Sequence, residues 1–178
     1  MTNYNFNESP FFVVEDNLVP LENLAGERLG RLLGYWNRKR GNAALPVGAC
    51  IDPIELAEHL TRLHILDVCG PHRFRYRLYG TKVTNPDLAD MTDKLTTDYR
   101  DKAFGELVTK HLAECVAAAT PICREIIAVK NGLPYAYRRL VLPWSGDGTR
   151  VSKLMVSPQR ILIPRQLDRS TRKSEFAR

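Results

Sequence analysis

The chain has 178 residues, of which 44% are hydrophobic and 26% are charged, a balance that is typical of a folded domain and argues against a disordered chain. The formal net charge is +6, and six basic residues stand against two acidic ones between Arg160 and Arg178, so most of the excess positive charge lies in this tail. No apolar run approaches the ~18 residues of a membrane span, and the N-terminus lacks the layout of a secretion signal. We therefore expect a cytoplasmic protein that has no membrane partner.

Neither the cysteines nor the sequence motifs indicate a metal site or catalysis. The cysteines are too far apart to form a short Cys-x-x-Cys clip, so we predict reduced thiols and no metal site; they are Cys50, Cys69, Cys115 and Cys123. The chain has no GxSxG motif, no HExxH motif and no glycine-rich phosphate loop. We therefore predict that the protein is not an enzyme.

Residues 1–20 lack periodicity, and we expect them to form a flexible N-terminal arm. Residues 21–40 are predicted to form an amphipathic helix, because apolar residues recur in steps of three and four. Two interpretations of this apolar stripe remain open: the helix packs on its own domain, or Leu29, Leu32 and Trp36 form a dimerisation surface. The stripe offers more apolar surface than a small domain needs to cover, so we expect a homodimer.

Residues 41–158 are predicted to form the central domain, and residues 159–178 a basic C-terminal tail. A hairpin of two strands meets at the turn Gly70-Pro71-His72, and its second strand alternates cationic with apolar residues from Arg73 to Leu78. A long helix that Asp98 can cap follows, and three further strands complete the order. The pattern predicts an α+β fold with a five-stranded antiparallel sheet, helices on one face, and the N-terminal amphipathic helix.

Several short motifs occur in a fixed order between about Leu33 and Val156. They are Tyr35-Trp36, Pro46, Asp52-Pro53, Asp67-Val68, Phe74-Arg75-Tyr76-Arg77-Leu78, Gly80-Thr81, Pro121 and Leu142-Pro143. In this order and at these spacings the chain resembles a bacterial family of stand-alone PAS-like domains. The loop after Gly80-Thr81 and the pair Arg138-Arg139 depart from the pattern of that family.

The resemblance implies a sensory or interaction module that has a small cavity between the sheet and the long helix. It also implies a signalling role, through an unknown small molecule, a protein partner or both; the cofactor is unknown. The expected ligand-binding residues are Tyr76, His111, Cys115, Tyr137 and Arg139.

His111 lies on the apolar face of the predicted long helix, and three interpretations of it are open. We expect a core histidine that a neighbouring acceptor satisfies, because buried polar groups are usually hydrogen-bonded. It could instead bind a ligand in the cavity, or it could be an axial ligand of a haem.

Two basic features suggest other partners. Arg73, Arg75 and Arg77 are expected to form a solvated strand face with Asp67 as a possible partner, although an acidic partner could dock there. The alternative function is a nucleic-acid-associated regulator that acts through the basic tail. The tail has no helix-turn-helix pattern, so nucleic acid is the less favoured partner.

Overall fold

A six-stranded antiparallel sheet organises the part of the chain that this computed structural model describes, residues 11–48 and 51–162. The strands are β1 (Phe12–Leu18), β2 (His64–Gly70), β3 (Arg73–Tyr79), β4 (Ile122–Lys130), β5 (Leu133–Ser145) and β6 (Val151–Arg160). Their order in the sheet is β1-β4-β5-β6-β2-β3. The α+β fold predicted from the sequence is confirmed, with six strands instead of five.

β1 is the strand that the sequence did not predict. It pairs with β4 along its length, from Phe12 opposite Val129 to Leu18 opposite Arg124. The expectation of a flexible arm is therefore wrong for residues 12–18, while residues 1–10 lie outside the described part of the chain. The register of β1 shifts between Val13 and Glu15, so apolar and polar residues do not alternate along this strand. The sequence therefore lacks the pattern from which a strand is predicted.

Two α-helices cover opposite faces of the sheet, whereas the sequence analysis led us to expect helices on one face. α2 (Lys102–Ala118) packs on one face, over Tyr76 and Tyr137, and α1 (Arg28–Arg40) packs on the other, over Leu142 and Trp144. We call these the α2 face and the α1 face. None of the helices in the described residues is long and apolar enough to cross a membrane.

α1 is shorter than the helix predicted over residues 21–40. Leu21–Leu24 forms a 3₁₀ turn, and the α-helix begins only at Arg28. The three residues expected to mediate dimerisation, Leu29, Leu32 and Trp36, are at most 3% exposed, because this side of α1 packs on the sheet of the same molecule. They are therefore not available as a dimerisation surface. The homodimer stays a prediction, and it would have to use a different surface.

β3 follows the predicted alternation only as far as Tyr76. Phe74 and Tyr76 are buried on the α2 face, as expected. The register against β2 then shifts by one residue, so Leu78 packs with the α1 face and Tyr79 returns to the α2 face. A β-bulge turns the side chains that follow it to the opposite face, which accounts for the difference.

The predicted bounds of α2 and of the tail also need correction. Asp101, rather than Asp98, caps α2, since its Oδ1 accepts a hydrogen bond from the backbone N–H of Phe104 at 3.1 Å. β6 continues through Arg160, so the first two residues of the predicted tail belong to the sheet. Residues 163–178 lie outside the described part of the chain.

Candidate functional site

A chain of hydrogen-bonded polar side chains is buried beneath α2. His111 of α2 lies between Asp16 of β1 and Arg139 of β5: its Nε2 is 3.0 Å from Asp16 Oδ1, and its Nδ1 is 2.8 Å from Arg139 Nη1. Arg139 also donates to the hydroxyl of Tyr137 at 2.7 Å. We call these four side chains the buried relay. It joins the edge strand β1 to the centre of the sheet.

The partners of His111 determine its protonation. Asp16 accepts and Arg139 donates, so Nε2 carries the proton and Nδ1 is the acceptor. Burial, and then the charge of Arg139, lower the pKa of His111 to about 3. Burial acts to raise the pKa of Asp16, but the hydrogen bonds from Lys110 and His111 outweigh it and leave that pKa below its usual value. His111 is therefore neutral and its partners are satisfied within the protein.

This arrangement matches the first interpretation of His111, a satisfied core histidine. Neither ring nitrogen is available to coordinate a haem iron in this conformation, since both are engaged by side chains. Within residues 11–48 and 51–162, no cluster of three or more His, Cys, Asp or Glu side chains is placed to hold a metal ion.

Tyr76 and Cys115 are buried and hydrogen-bonded as well. The hydroxyl of Tyr76 lies 2.9 Å from that of Tyr99, and burial raises the pKa of Tyr76. The Sγ of Cys115 is 3.3 Å from the carbonyl oxygen of Thr120. Burial also raises the pKa of this thiol, so Cys115 is protonated and a poor nucleophile near neutral pH.

The space between α2 and the sheet is almost filled by side chains. A cavity of about 20 Å³ remains, and of the predicted ligand-binding residues only Tyr76 and Arg139 border it. That volume is enough for one water molecule and too small for a metabolite. The cavity is also lined by His64, whose buried Nδ1 has no partner among the described residues, so a water molecule here would satisfy it.

A larger, open groove of about 340 Å³ lies next to this cavity, where β5 begins and β6 ends. We call it the basic groove; it is lined by Arg28, Arg62, Lys82, Val83, Thr84, Tyr135, Tyr137, Pro158, Gln159 and Arg160. Pro158 borders both the groove and the interior cavity, and Tyr137 connects the groove to the buried relay. Tyr137 is thus the predicted ligand-binding residue that lines it.

Sequence analysis missed the cations of the basic groove, because they belong to separate segments. Arg28 opens α1, Arg62 ends a short 3₁₀ turn, Lys82 follows β3 and Arg160 ends β6. The segments are joined by hydrogen bonds between loops, such as that from the backbone N–H of Lys82 to the carbonyl of Thr61 at 2.8 Å. No local pattern in the sequence could have brought these residues together.

A second groove, of about 730 Å³, runs along α2. Its wall combines small residues such as Ala113 and Ala117 with both acidic and basic ones, among them Lys102 and Glu106. We call it the α2 groove. Its charges are mixed, in contrast to those of the basic groove.

Comparison with known proteins identifies the family. The family model described as PAS domain matches residues 24–155, which is more than half of the chain and includes α1, α2 and most of the sheet. No curated protein and no solved structure matches the chain. The family match agrees with the antiparallel sheet and its helices, and the chain belongs to the PAS domain family.

Proposed function

We propose that this protein is a non-catalytic regulatory module that binds a small molecule in the basic groove and transmits its presence to a protein partner. Membership of the PAS domain family supports a sensory or signalling role in general. The observation that carries the finer proposal is that Tyr137, a member of the buried relay, lines the basic groove of about 340 Å³, whereas no side chain of the relay lines the larger α2 groove. The groove is within the size range of small-molecule sites, whereas the interior is not.

The position of Tyr137 supports coupling between the groove and the rest of the protein. Its side chain borders the groove, and its hydroxyl is held by Arg139, which continues through His111 to Asp16 of β1. A ligand that displaces the Tyr137 ring would disturb this series of buried hydrogen bonds. β1 is an edge strand of the sheet, so a change at Asp16 would reach the molecular surface.

The state of the buried groups supports a role without catalysis. The thiol of Cys115 is protonated near neutral pH, and both nitrogens of His111 are engaged in the relay. These groups would need to be freed before they could act as a nucleophile or a general base. The alternative function, regulation of nucleic acid through the predicted tail of residues 159–178, depends mainly on residues 163–178, which lie outside the described part of the chain.

A thermal-shift screen of chemically diverse metabolites, together with native mass spectrometry of the purified protein, tests the proposal. A ligand at ~100 times its Kd adds about 2.7 kcal/mol to stability, which corresponds to a rise of several degrees in Tm. Val83→Trp fills the basic groove and should abolish the shift. Ala117→Trp places the same side chain in the α2 groove and should retain it. The proposal fails if no compound binds, or if Val83→Trp binds as well as the wild type.

A further inference from the structure

The lining of the basic groove contains basic residues and no acidic one. Four cationic side chains border it: Arg28, Arg62, Lys82 and Arg160. We propose that the groove recognises a small molecule with at least two negative charges on phosphate or carboxylate groups. This proposal rests on the proposed function and names the chemical class of its ligand.

Arg28 is fixed in place without losing its charge. Its guanidinium donates to the hydroxyl of Ser157 at 2.7 Å and to the carbonyl of Pro158 at 2.9 Å, both of which are neutral acceptors. The acidic group whose charge acts on Arg28 is Glu58, and two nitrogens of the Arg31 guanidinium already donate to its two carboxylate oxygens, each at 3.0 Å. The positive charge of Arg28 is therefore held at the groove and is available to an anion.

Arg28 and Arg62 lie close enough to repel each other. Burial lowers the pKa of Arg28, and the charge of Arg62 lowers it further. A hydrogen bond from the hydroxyl of Ser157 to the carbonyl of Arg62, at 3.0 Å, fastens the segment that carries Arg62 to β6. Two cations that the fold holds near each other are stabilised when an anion binds between them.

The other cations of the groove also lack an acidic partner. Arg62, Lys82 and Arg160 have no carboxylate within 4.0 Å in the described part of the chain. Two arginines of other parts of the sheet do have one: Arg124 pairs with Glu114 at 2.6 Å and Arg138 with Glu125 at 2.8 Å. Guanidinium groups bind phosphate and carboxylate through two parallel hydrogen bonds, so an unpaired set is suited to such a ligand.

The remaining walls fit the non-ionic part of such a molecule. Tyr135 and Tyr137 supply aromatic surface, with their ring centroids 5.3 Å apart. The Oε1 atom of Gln159 is buried and has no hydrogen-bond donor among the described residues. A hydroxyl or amino group of the ligand would supply that donor. The preferred ligand is thus an anionic metabolite that also has a polar or ring-shaped part.

Isothermal titration at low ionic strength tests this inference with four probes: inorganic pyrophosphate, citrate, magnesium-free ATP and neutral adenosine. We expect at least one of the three anions to bind with a Kd below about 1 mM, and adenosine to bind at least about tenfold more weakly. Pyrophosphate and citrate distinguish phosphate from carboxylate recognition. Raising the salt concentration should weaken the binding, because screening acts on exposed charges.

The double variant Lys82→Gln/Arg160→Gln removes two exposed charges from the groove, and we expect it to weaken anion binding by about tenfold or more. Arg73→Gln/Arg150→Gln removes the same charge from exposed positions outside the groove and is the matched control, with an expected change below about twofold. Tm values equal to that of the wild type would show that both variants retain the fold.

Three outcomes overturn the inference: none of the anions binds with a Kd below about 1 mM, the groove variant binds as well as the control, or a single-stranded DNA 20-mer binds at least about tenfold more tightly than ATP. The last would make the groove a nucleic-acid surface. If a neutral compound from the metabolite screen binds and Val83→Trp prevents it, the proposed function survives while the anionic ligand is rejected. If nothing of any class binds, both fail.

Discussion

The buried relay predicts that the protein loses stability in mild acid, well above the pH at which carboxylates titrate. His111 has a pKa of about 3 in the folded protein, against about 6.5 for a histidine in an unfolded chain. Between these values the unfolded state binds a proton that the folded state does not bind, so the free energy of unfolding falls as the pH is lowered from 6.5 towards 3. Asp16, whose pKa is lowered, acts in the same direction but only below about pH 4.

The magnitude follows from the linkage relation. Lowering the pH from about 7.5 to about 5.5 should remove roughly 1.4 kcal/mol of stability for each buried neutral histidine. His64, fully buried and with its pKa also lowered to about 3, first by burial and then by Arg139, adds a second contribution of the same size. The two histidines together should therefore cost the fold roughly 3 kcal/mol over this interval, a large share of the stability of an ordinary domain.

Urea unfolding of the wild type and of His111→Gln at both pH values measures this effect. The glutamine side chain has an NH₂ group that can donate to Asp16 and a carbonyl oxygen that can accept from Arg139, so it can bridge the two without titrating. We expect the substitution to lower stability near neutral pH through imperfect geometry but to remove the share of the pH dependence that comes from His111, about 1.4 kcal/mol over this interval, and to leave the shares of His64 and of His59, whose pKa burial also lowers. His72→Gln, in the exposed turn between β2 and β3, is the control that removes a histidine outside the core. A wild-type stability that is equal at the two pH values, or an undiminished pH dependence in His111→Gln, would refute the reasoning.

Two further predictions concern α1, and thermal unfolding monitored by circular dichroism checks both. A Cβ at Gly30 would lie 1.9 Å from the carbonyl oxygen of Leu24, so Gly30→Ala should lower the free energy of unfolding by about 1–3 kcal/mol. At Gly34 the new Cβ would meet nothing closer than 3.9 Å, so Gly34→Ala should raise the free energy of unfolding by up to about 1 kcal/mol. Equal effects of the two substitutions would contradict the packing of α1. Leu29→Glu/Leu32→Glu should prevent folding rather than give a soluble monomer, because both positions are fully buried, and a folded double variant would restore the dimerisation interpretation.

Local patterns predicted those parts of the fold that depend on neighbouring residues. The apolar face of α2 was correctly inferred from helical spacing, and it placed His111 and Cys115 inward, where they are fully buried. The alternation of β3 placed Phe74 and Tyr76 correctly and failed for Leu78, where the bulge intervenes. A bulge depends on pairing with another strand, so the sequence of one strand does not reveal it.

Features that depend on distant residues could not be predicted from the sequence. His111 finds its acceptor in Asp16, 95 positions earlier, and its donor in Arg139, 28 positions later. The position of His111 on the apolar face of the helix predicted that it would have a hydrogen-bonding partner, but it did not identify which residue that partner is. The same holds for the basic groove, whose lining comes from five segments that only the folded sheet brings together.

The pair Arg138-Arg139 shows how the interior and the groove are related. Successive residues of β5 point to opposite faces, so Arg138 pairs with Glu27 and Glu125, whereas Arg139 is buried and has no carboxylate within 4.0 Å among the described residues. The direct side-chain partners of Arg139 are neutral, and its charge is balanced only through His111, which separates it from Asp16. An incompletely compensated charge behind Tyr137 makes the potential at the groove more positive. An anion bound in the groove would therefore stabilise the buried relay as well as the exposed cations, so binding of the proposed ligand would affect the interior of the fold.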